Sequence, residues 1–202
     1  MAEDATFPHA ADPRRALRQT MKSRRCALDA RTRIASAEGL AHQLGALPAL
    51  SAPGYVAGYW AVDGEMSLHA VMSRLADDVV YCLPCLADDT RLQFAPWRAG
   101  DPLVQNRYGI PEPDLAPSSR LSPSELSVVL LPLVAFDRRG NRLGMGAGYY
   151  DRSFAFRRER AAPPLLVGIG YAFQEVDTLS AQPWDVPVDF VVTERELIAC
   201  RR

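Results

Sequence analysis

The sequence predicts an α/β protein built on a mostly parallel sheet covered by helices. Three observations predict it. Residues 79–83, 128–136 and 164–170 are short continuous apolar runs, the pattern of strands buried on both faces. Segments with helical spacing fall between such runs, so strand and helix alternate along the chain. With 48% hydrophobic residues over 202 positions, the chain can bury a sizeable core. No internal repeat, low-complexity segment or interdomain linker stands out, so residues 13–202 are expected to form one domain behind a disordered tail over residues 1–12.

Taken in order, Pro13 opens a helix with Leu17, Met21, Cys26 and Leu28 at apolar positions and a basic face containing Arg14, Arg15, Arg18, Lys22, Arg24 and Arg25. Arg14 and Arg18 are four apart and share that face. A second helix is expected over residues 32–44, with Ile34, Leu40 and Leu44 inward, stopped by Gly45 and Pro48. Residues 55–60 read as the first strand, and Ser67 is placed to cap a helix over 67–76. Glu65 then lies past the carboxyl end of a strand, where open α/β sheets bind ligands; as a loop acid beside a helix start it has a purely local reading too. Strands follow at 79–83 and 91–97, the latter at an edge because Pro96 cannot donate to a ladder. Residues 102–123 carry five prolines and little periodicity. That composition suits a pocket wall or lid as well as a plain surface crossing. After the central run 128–136 come a helix over 149–160 and strands at 164–170 and 190–193.

Several function classes are disfavoured. A net charge of -1 gives no global attraction to nucleic acid or to a membrane surface. The four cysteines form no disulfide framework, and Cys82 and Cys85 sit within an apolar run, as buried thiols do. The amino terminus lacks the apolar stretch of a signal peptide, and a cytoplasmic location is expected. His9, His42 and His69 lack metal-ligand spacing, and no Gly-x-Ser-x-Gly elbow is present. A monomer is the expected state.

The most informative stretch follows the central apolar run. Gly144-Met145-Gly146-Ala147-Gly148 is succeeded by Tyr149, Tyr150 and Asp151. Alternate glycines let backbone N–H groups converge on one point, an arrangement suited to phosphate where a strand gives way to a helix. Asp151 is placed to hold the magnesium that accompanies a nucleotide, and Arg138, Arg139, Arg142 and Arg152 surround the loop with positive charge. The spacing is neither the dinucleotide fingerprint nor a P-loop. Tight packing is the competing account of the glycines. Of the two tyrosines, one is expected to face a flat ligand and one the core. Asp185 and Asp189 read as turn caps unless Asp151 lies near them.

Together these segments resemble the 5-formyltetrahydrofolate cyclo-ligase family, also called methenyltetrahydrofolate synthetase. The resemblance runs from about Arg14 to Thr193 and rests on ordered motifs: Arg14-x-x-x-Arg18, Gly64-Glu65, Leu83-Pro84, residues 106–113, the run 131–137 with the glycine loop 142–151, and Asp185-x-x-x-Asp189. It implies a three-layer α/β/α fold with an open, mostly parallel sheet, similar to sugar-phosphate isomerases and CoA transferases. It implies ATP- and Mg2+-dependent closure of 5-formyltetrahydrofolate to 5,10-methenyltetrahydrofolate, with ADP and phosphate released. By the same resemblance ATP is held by Arg14, Arg18, Arg142, Leu143, Gly144, Met145, Gly146, Ala147, Gly148, Tyr149 and Tyr150. The folate is held by Arg18, Trp60, Glu65, Met145, Gly146, Ala147, Gly148 and Tyr149. Arg142 and Glu65 act at the reacting centre, and Asp151 and Asp185 take magnesium. The family's first basic position is commonly lysine and here is Arg14, which keeps the charge but changes a point cation into a fork. Two rival readings keep the scaffold: a sugar-phosphate isomerase that ignores ATP, and a non-catalytic folate- or nucleotide-binding relative.

Overall fold

The computed structural model describes residues 12–87 and 90–200, so of the tail expected over residues 1–12 all but Asp12 lies outside the described residues. Helix α1 (Pro13–Cys26) starts on Asp12, whose carboxylate accepts from the Arg14 N–H, with Pro13 in the first turn. Helix α2 (Ala30–Leu44) starts on Asp29, which accepts from the Thr32 N–H, and ends at Gly45. Leu40 and Leu44 are inward as expected, but Ile34 is 67% exposed. Cys26 is exposed as well, and Arg25 takes the buried place at the end of α1.

The remaining elements, in chain order, are β1 (Gly54–Ala57), α3 (His69–Met72), β2 (Val79–Ala87), β3 (Arg91–Pro96), β4 (Leu103–Gln105), β5 (Pro111–Pro113), β6 (Val128–Pro132), β7 (Ala135–Phe136), β8 (Arg142–Leu143), α4 (Tyr149–Ser153), β9 (Leu165–Ile169), β10 (Phe190–Val192) and β11 (Leu197–Ala199). Seven strands form one sheet in the order β11-β10-β9-β6-β1-β2-β3. The pairs from β10 to β2 are parallel, and the two outer strands β3 and β11 are antiparallel to their neighbours. Pro96 thus lies on an edge strand, as its missing N–H requires.

Successive side chains on the inner strands face opposite sides of the sheet. Val56, Val128, Leu130, Val167 and Val192 pack with Leu40, Leu44 and Val71 of α2 and α3 on one face. Ala57, Val129, Leu131, Leu166 and Val191 pack with Phe154, Val186 and Val188 on the other. Both faces are covered, which is why the strands read as unbroken apolar runs.

Several expected elements are shorter or divided. The run 128–136 holds two strands. β6 stops at Pro132, after which Ala135 and Phe136 leave the sheet to pair with Arg142 and Leu143. An apolar run cannot register this turn, because the small hairpin is buried as deeply as the strand before it. The helix expected over 149–160 is a single turn, α4, followed by a 3-10 turn at Ala155–Arg158. Helix α3 covers only part of 67–76, although the Ser67 hydroxyl accepts from the His69 N–H at 3.3 Å. β2 extends to Ala87, past the expected 79–83. The proline-rich stretch folds into the β4–β5 hairpin, and β11 had no counterpart in the sequence reading.

Cys82 and Cys85 are buried free thiols. Burial pushes the Cys82 thiol up to about 12 and the Cys85 thiol to about 11, so neither is a thiolate at neutral pH.

Candidate active site

A cleft of about 1030 Å³ lies along the glycine loop, between the turn that follows β1 and the segment that leads into β10. Arg14, Arg18, Trp60, Glu65, Arg142, Gly144, Met145, Gly146, Ala147, Gly148, Tyr149, Tyr150, Asp151 and Asp185 all line it. These residues come from α1, the turn after β1, the β7–β8 hairpin, the glycine loop, α4 and the chain before β10, most of them far apart in sequence. Leu143 does not line the cleft; its side chain is fully buried with Met21, Val134 and Ala135 beneath the loop.

The loop is open where a ligand needs it. The N–H groups of Gly144, Met145, Gly146, Ala147 and Gly148 donate to no group among the described residues. Gly148 holds φ 69° as the residue before α4, and a Cβ there would stand 2.7 Å from Arg152 Nη1. Only glycine takes that place without strain. Because α4 has five residues, its dipole adds little, and the loop's own amides and the arginines are left to meet an anion.

The arginines are fixed by partners on both sides of the loop. Arg18 donates through Nε to the Gly144 carbonyl at 2.9 Å, and its guanidinium lies over Gly146. Arg14 Nη2 is 3.0 Å from Asp185 Oδ2, which also accepts from the Gln182 N–H. Arg142 is buried, with Nη2 2.9 Å from Asp151 Oδ1 and with Nε lacking a partner among the described residues. Arg152 donates to the Ala147 carbonyl at 2.7 Å. Arg138 and Arg139 do not join them: Arg138 pairs with Glu175 and Glu196, and Arg139 donates to Thr178.

Glu65 and Trp60 mark the β1 end of the cleft. Burial raises the Glu65 carboxyl to about 7, against the pull of the hydrogen bond from the Val62 N–H and of the Arg25 cation. Trp60 packs edge-on against Trp97 and His69 and presents its indole to the cleft. Of the tyrosine pair, Tyr150 stacks on Phe154 beside the core, and burial pushes its hydroxyl well above the usual range. Tyr149 is met by the β4–β5 hairpin. Its hydroxyl is 3.0 Å from that of Tyr108, and Arg107 donates to it as well. Hydrogen bonds to Tyr108 and then Arg107 hold the Tyr149 hydroxyl below its ordinary value. Asn106 and Glu112 build this wall from within, with Asn106 Nδ2 donating to Glu112 Oε1 at 2.7 Å.

The two aspartates proposed by resemblance for magnesium differ from Asp189. Asp189 is bound through both oxygens to Arg157 and accepts from the Leu166 N–H, so it serves the fold. Asp151 accepts from the Val186 N–H at 3.0 Å, which draws the segment bearing Asp185 against α4. No group of three or more His, Cys, Asp or Glu side chains suited to a metal is found among the described residues. Two cleft carboxylates fit a magnesium ion that arrives on phosphates, because such an ion takes one or two protein carboxylates and fills its shell with phosphate and water oxygens.

Three features were not legible in the sequence. Arg25 falls on the basic face by sequence, yet it is 1% exposed, behind Glu65. Trp184 is 60% exposed on the rim beside Asp185. Arg107 and Tyr108 reach Tyr149 from a hairpin that composition alone did not reveal.

Known proteins resemble the chain over most of its length. The profile of the 5-formyltetrahydrofolate cyclo-ligase family matches residues 10–194. The 5-formyltetrahydrofolate cyclo-ligase of Haemophilus influenzae is 40% identical over 137 residues, covering 66% of this chain and 72% of that protein. That of Escherichia coli K12 is 38% identical over 142 residues, covering 68% and 76%. The solution structure of Aquifex aeolicus 5,10-methenyltetrahydrofolate synthetase superposes with a TM-score of 0.79 at 29% identity, over 94% of this chain and 93% of that one. Family profile, sequence identity and fold agree, and the chain belongs to the 5-formyltetrahydrofolate cyclo-ligase family.

Proposed function

We propose that the protein closes 5-formyltetrahydrofolate to 5,10-methenyltetrahydrofolate, converting ATP to ADP and phosphate. The observation that carries the reading is the junction within one cleft of undonated loop amides flanked by Arg14, Arg18 and Arg142 with the Trp60–Glu65 corner. A phosphate donor and a flat, hydrogen-bonding acceptor fit side by side there. The sugar-phosphate isomerase alternative leaves that second corner without a role.

The chemistry follows from the electrophile. A formamide carbon reacts poorly, and its oxygen is a poor leaving group. The formyl oxygen attacks the γ-phosphorus of ATP, the bond to the ADP oxygen breaks, and the oxygen becomes a phosphate ester. N10 then gives its electron pair to the formyl carbon, the carbon–oxygen bond breaks, phosphate leaves and the N10 proton is lost. No protein nucleophile is needed; the demands are alignment and stabilisation of phosphate charge. The loop amides from Gly144 to Gly148 and the buried Arg142 meet that charge, and Arg14 and Arg18 hold the chain of phosphates from α1. Asp151 and Asp185 are the residues to hold a magnesium ion, which supplies further neutralisation of phosphate oxygens when bound. Glu65 and Trp60 orient the pterin, the carboxylate by accepting from ring N–H groups and the indole by contact. Trp184 offers the nucleotide base a flat apolar face next to Asp185.

The test is direct. Purified protein given 5-formyltetrahydrofolate, ATP and magnesium is expected to develop the absorbance of methenyltetrahydrofolate, and to do so only with all three present. A folded protein that produces none excludes the assignment.

A further inference from the structure

We propose that Arg25 is a positioning residue that sets Glu65 and the glycine loop relative to each other, fixing the folate-binding carboxylate from behind. The proposal rests on the folate reading of Glu65.

Arg25 touches three segments that border the cleft. Its Nη1 lies 3.9 Å from Glu65 Oε1 and donates to the Leu133 carbonyl, at the end of the central strand, at 3.2 Å. Its Nη2 lies 4.0 Å from the Met145 sulfur in the glycine loop. The backbone fits as closely. Gly64 holds φ +75°, and a Cβ there would stand 2.9 Å from the Arg25 carbonyl carbon and oxygen. The end of α1 is therefore seated directly on the turn that carries Glu65.

A purely structural guanidinium is expected to have its donors satisfied. Arg25 is 1% exposed, yet its Nε has no partner among the described residues and its approach to Glu65 is long for a salt bridge. Burying an ion pair seldom stabilises a fold more than apolar residues of the same size do. A pair that is both buried and loosely coordinated, directly behind a wall of the cleft, is better accounted for by what it does to the carboxylate. Other charged or titratable groups face Glu65: Lys22 from α1, Asp63 of the same turn, Tyr59 past β1 and Tyr150 of α4. Lys22 and Asp63 pair with each other at 2.8 Å and largely offset one another. Among the described residues Arg25 forms the ion pair of Glu65.

The experiment follows the Glu65 carboxyl by 13C NMR against pH in the wild type, Arg25→Met and Arg25→Lys, together with the pH profile of kcat/KM for 5-formyltetrahydrofolate. Arg25→Met is expected to move both midpoints upward by about one unit or more, as loss of a cation within a few ångströms does. Arg25→Lys keeps the charge and is expected to stay near the wild-type midpoint. Lower activity at every pH with unmoved midpoints, the signature of a merely structural residue, overturns the proposal. If Arg25→Met does not fold, the variant combining it with Glu65→Gln decides. Activity equal to that of Glu65→Gln alone sustains the coupling, and a further loss of about tenfold overturns it. A wild-type protein that makes no methenyltetrahydrofolate removes the folate assignment, and the carboxyl titration then judges the Arg25–Glu65 coupling alone.

Discussion

Arg142 and Asp151, nine residues apart, clasp the two ends of the glycine loop through a 2.9 Å bond from Nη2 to Oδ1. Arg142 enters from the β7–β8 hairpin and Asp151 from α4, so the bond closes the loop as well as charging it. Arg142→Ala is expected to lower kcat by about 10²–10³-fold, the usual consequence of deleting one charge-stabilising donor at a reacting centre. It is also expected to lower Tm, because Asp151 loses a buried partner. Steady-state kinetics and a thermal melt check both; an unchanged kcat would remove Arg142 from the reacting centre.

Asp151→Asn keeps the size of the side chain and removes its charge. Its Oδ1 already accepts from Arg142 and from the Val186 N–H, and both bonds can persist to an amide oxygen. Turnover is expected to fall by on the order of 100-fold, while 5-formyltetrahydrofolate binding changes only a few-fold. The magnesium concentration for half-maximal rate is expected to rise. Calorimetry with the folate and a magnesium titration of the rate separate these effects. Near wild-type turnover at ordinary magnesium levels would refute the metal role.

The Glu65 carboxyl carries a stability signature of its own. Burial lifts it to about 7 from an ordinary 4.5, so the folded chain holds this proton more tightly than the unfolded chain does. Its stabilising contribution is complete below pH 4.5 and is lost as pH rises through about 7, since the unfolded state then binds fewer protons than the native one. The span amounts to about 3 kcal/mol. Glu65→Gln cannot titrate. Its urea-unfolding free energy, compared with that of the wild type at pH 5 and pH 8, is therefore expected to improve relative to the wild type at the higher pH. A difference that stays constant between those values would contradict the raised carboxyl.

The sequence carried the sheet and the glycine loop because each has a local signature. Strands covered on both faces read as apolar runs, and Gly146 and Gly148 mark backbone at φ 105° and 69°. What escaped depends on contacts between distant segments. Arg25 follows Arg24 in a basic helix, and only the seating of α1 on Gly64 decides which of the two is buried. Leu143 shares the loop's motif, but its side chain points into the small core under the loop. The helix expected after the loop ends early because Ala155–Arg158 tighten into a 3-10 turn anchored by Arg157 on Asp189. The 3.6-residue period does not encode that pairing.

Trp184 supplies the last test. A tryptophan 60% exposed carries an apolar cost that a ligand can relieve, and this one stands beside Asp185, the partner of Arg14. Glu65 and Trp60 extend from β1, while Trp184 leads toward β10, three strands away in the sheet. In the proposed reaction the γ-phosphate faces the folate at Glu65, which directs the base of ATP toward Trp184. Stacking of a base on an aromatic side chain contributes about 1–3 kcal/mol. Trp184→Ala is therefore expected to raise the KM for ATP by about 5- to 150-fold with little change in the KM for 5-formyltetrahydrofolate, and Trp184→Phe to recover most of the loss. Inorganic tripolyphosphate, which has no base, is expected to bind wild type and Trp184→Ala equally in calorimetry. Equal loss for ATP and tripolyphosphate would mean that Trp184 supports the phosphate site through Asp185 and does not touch the base.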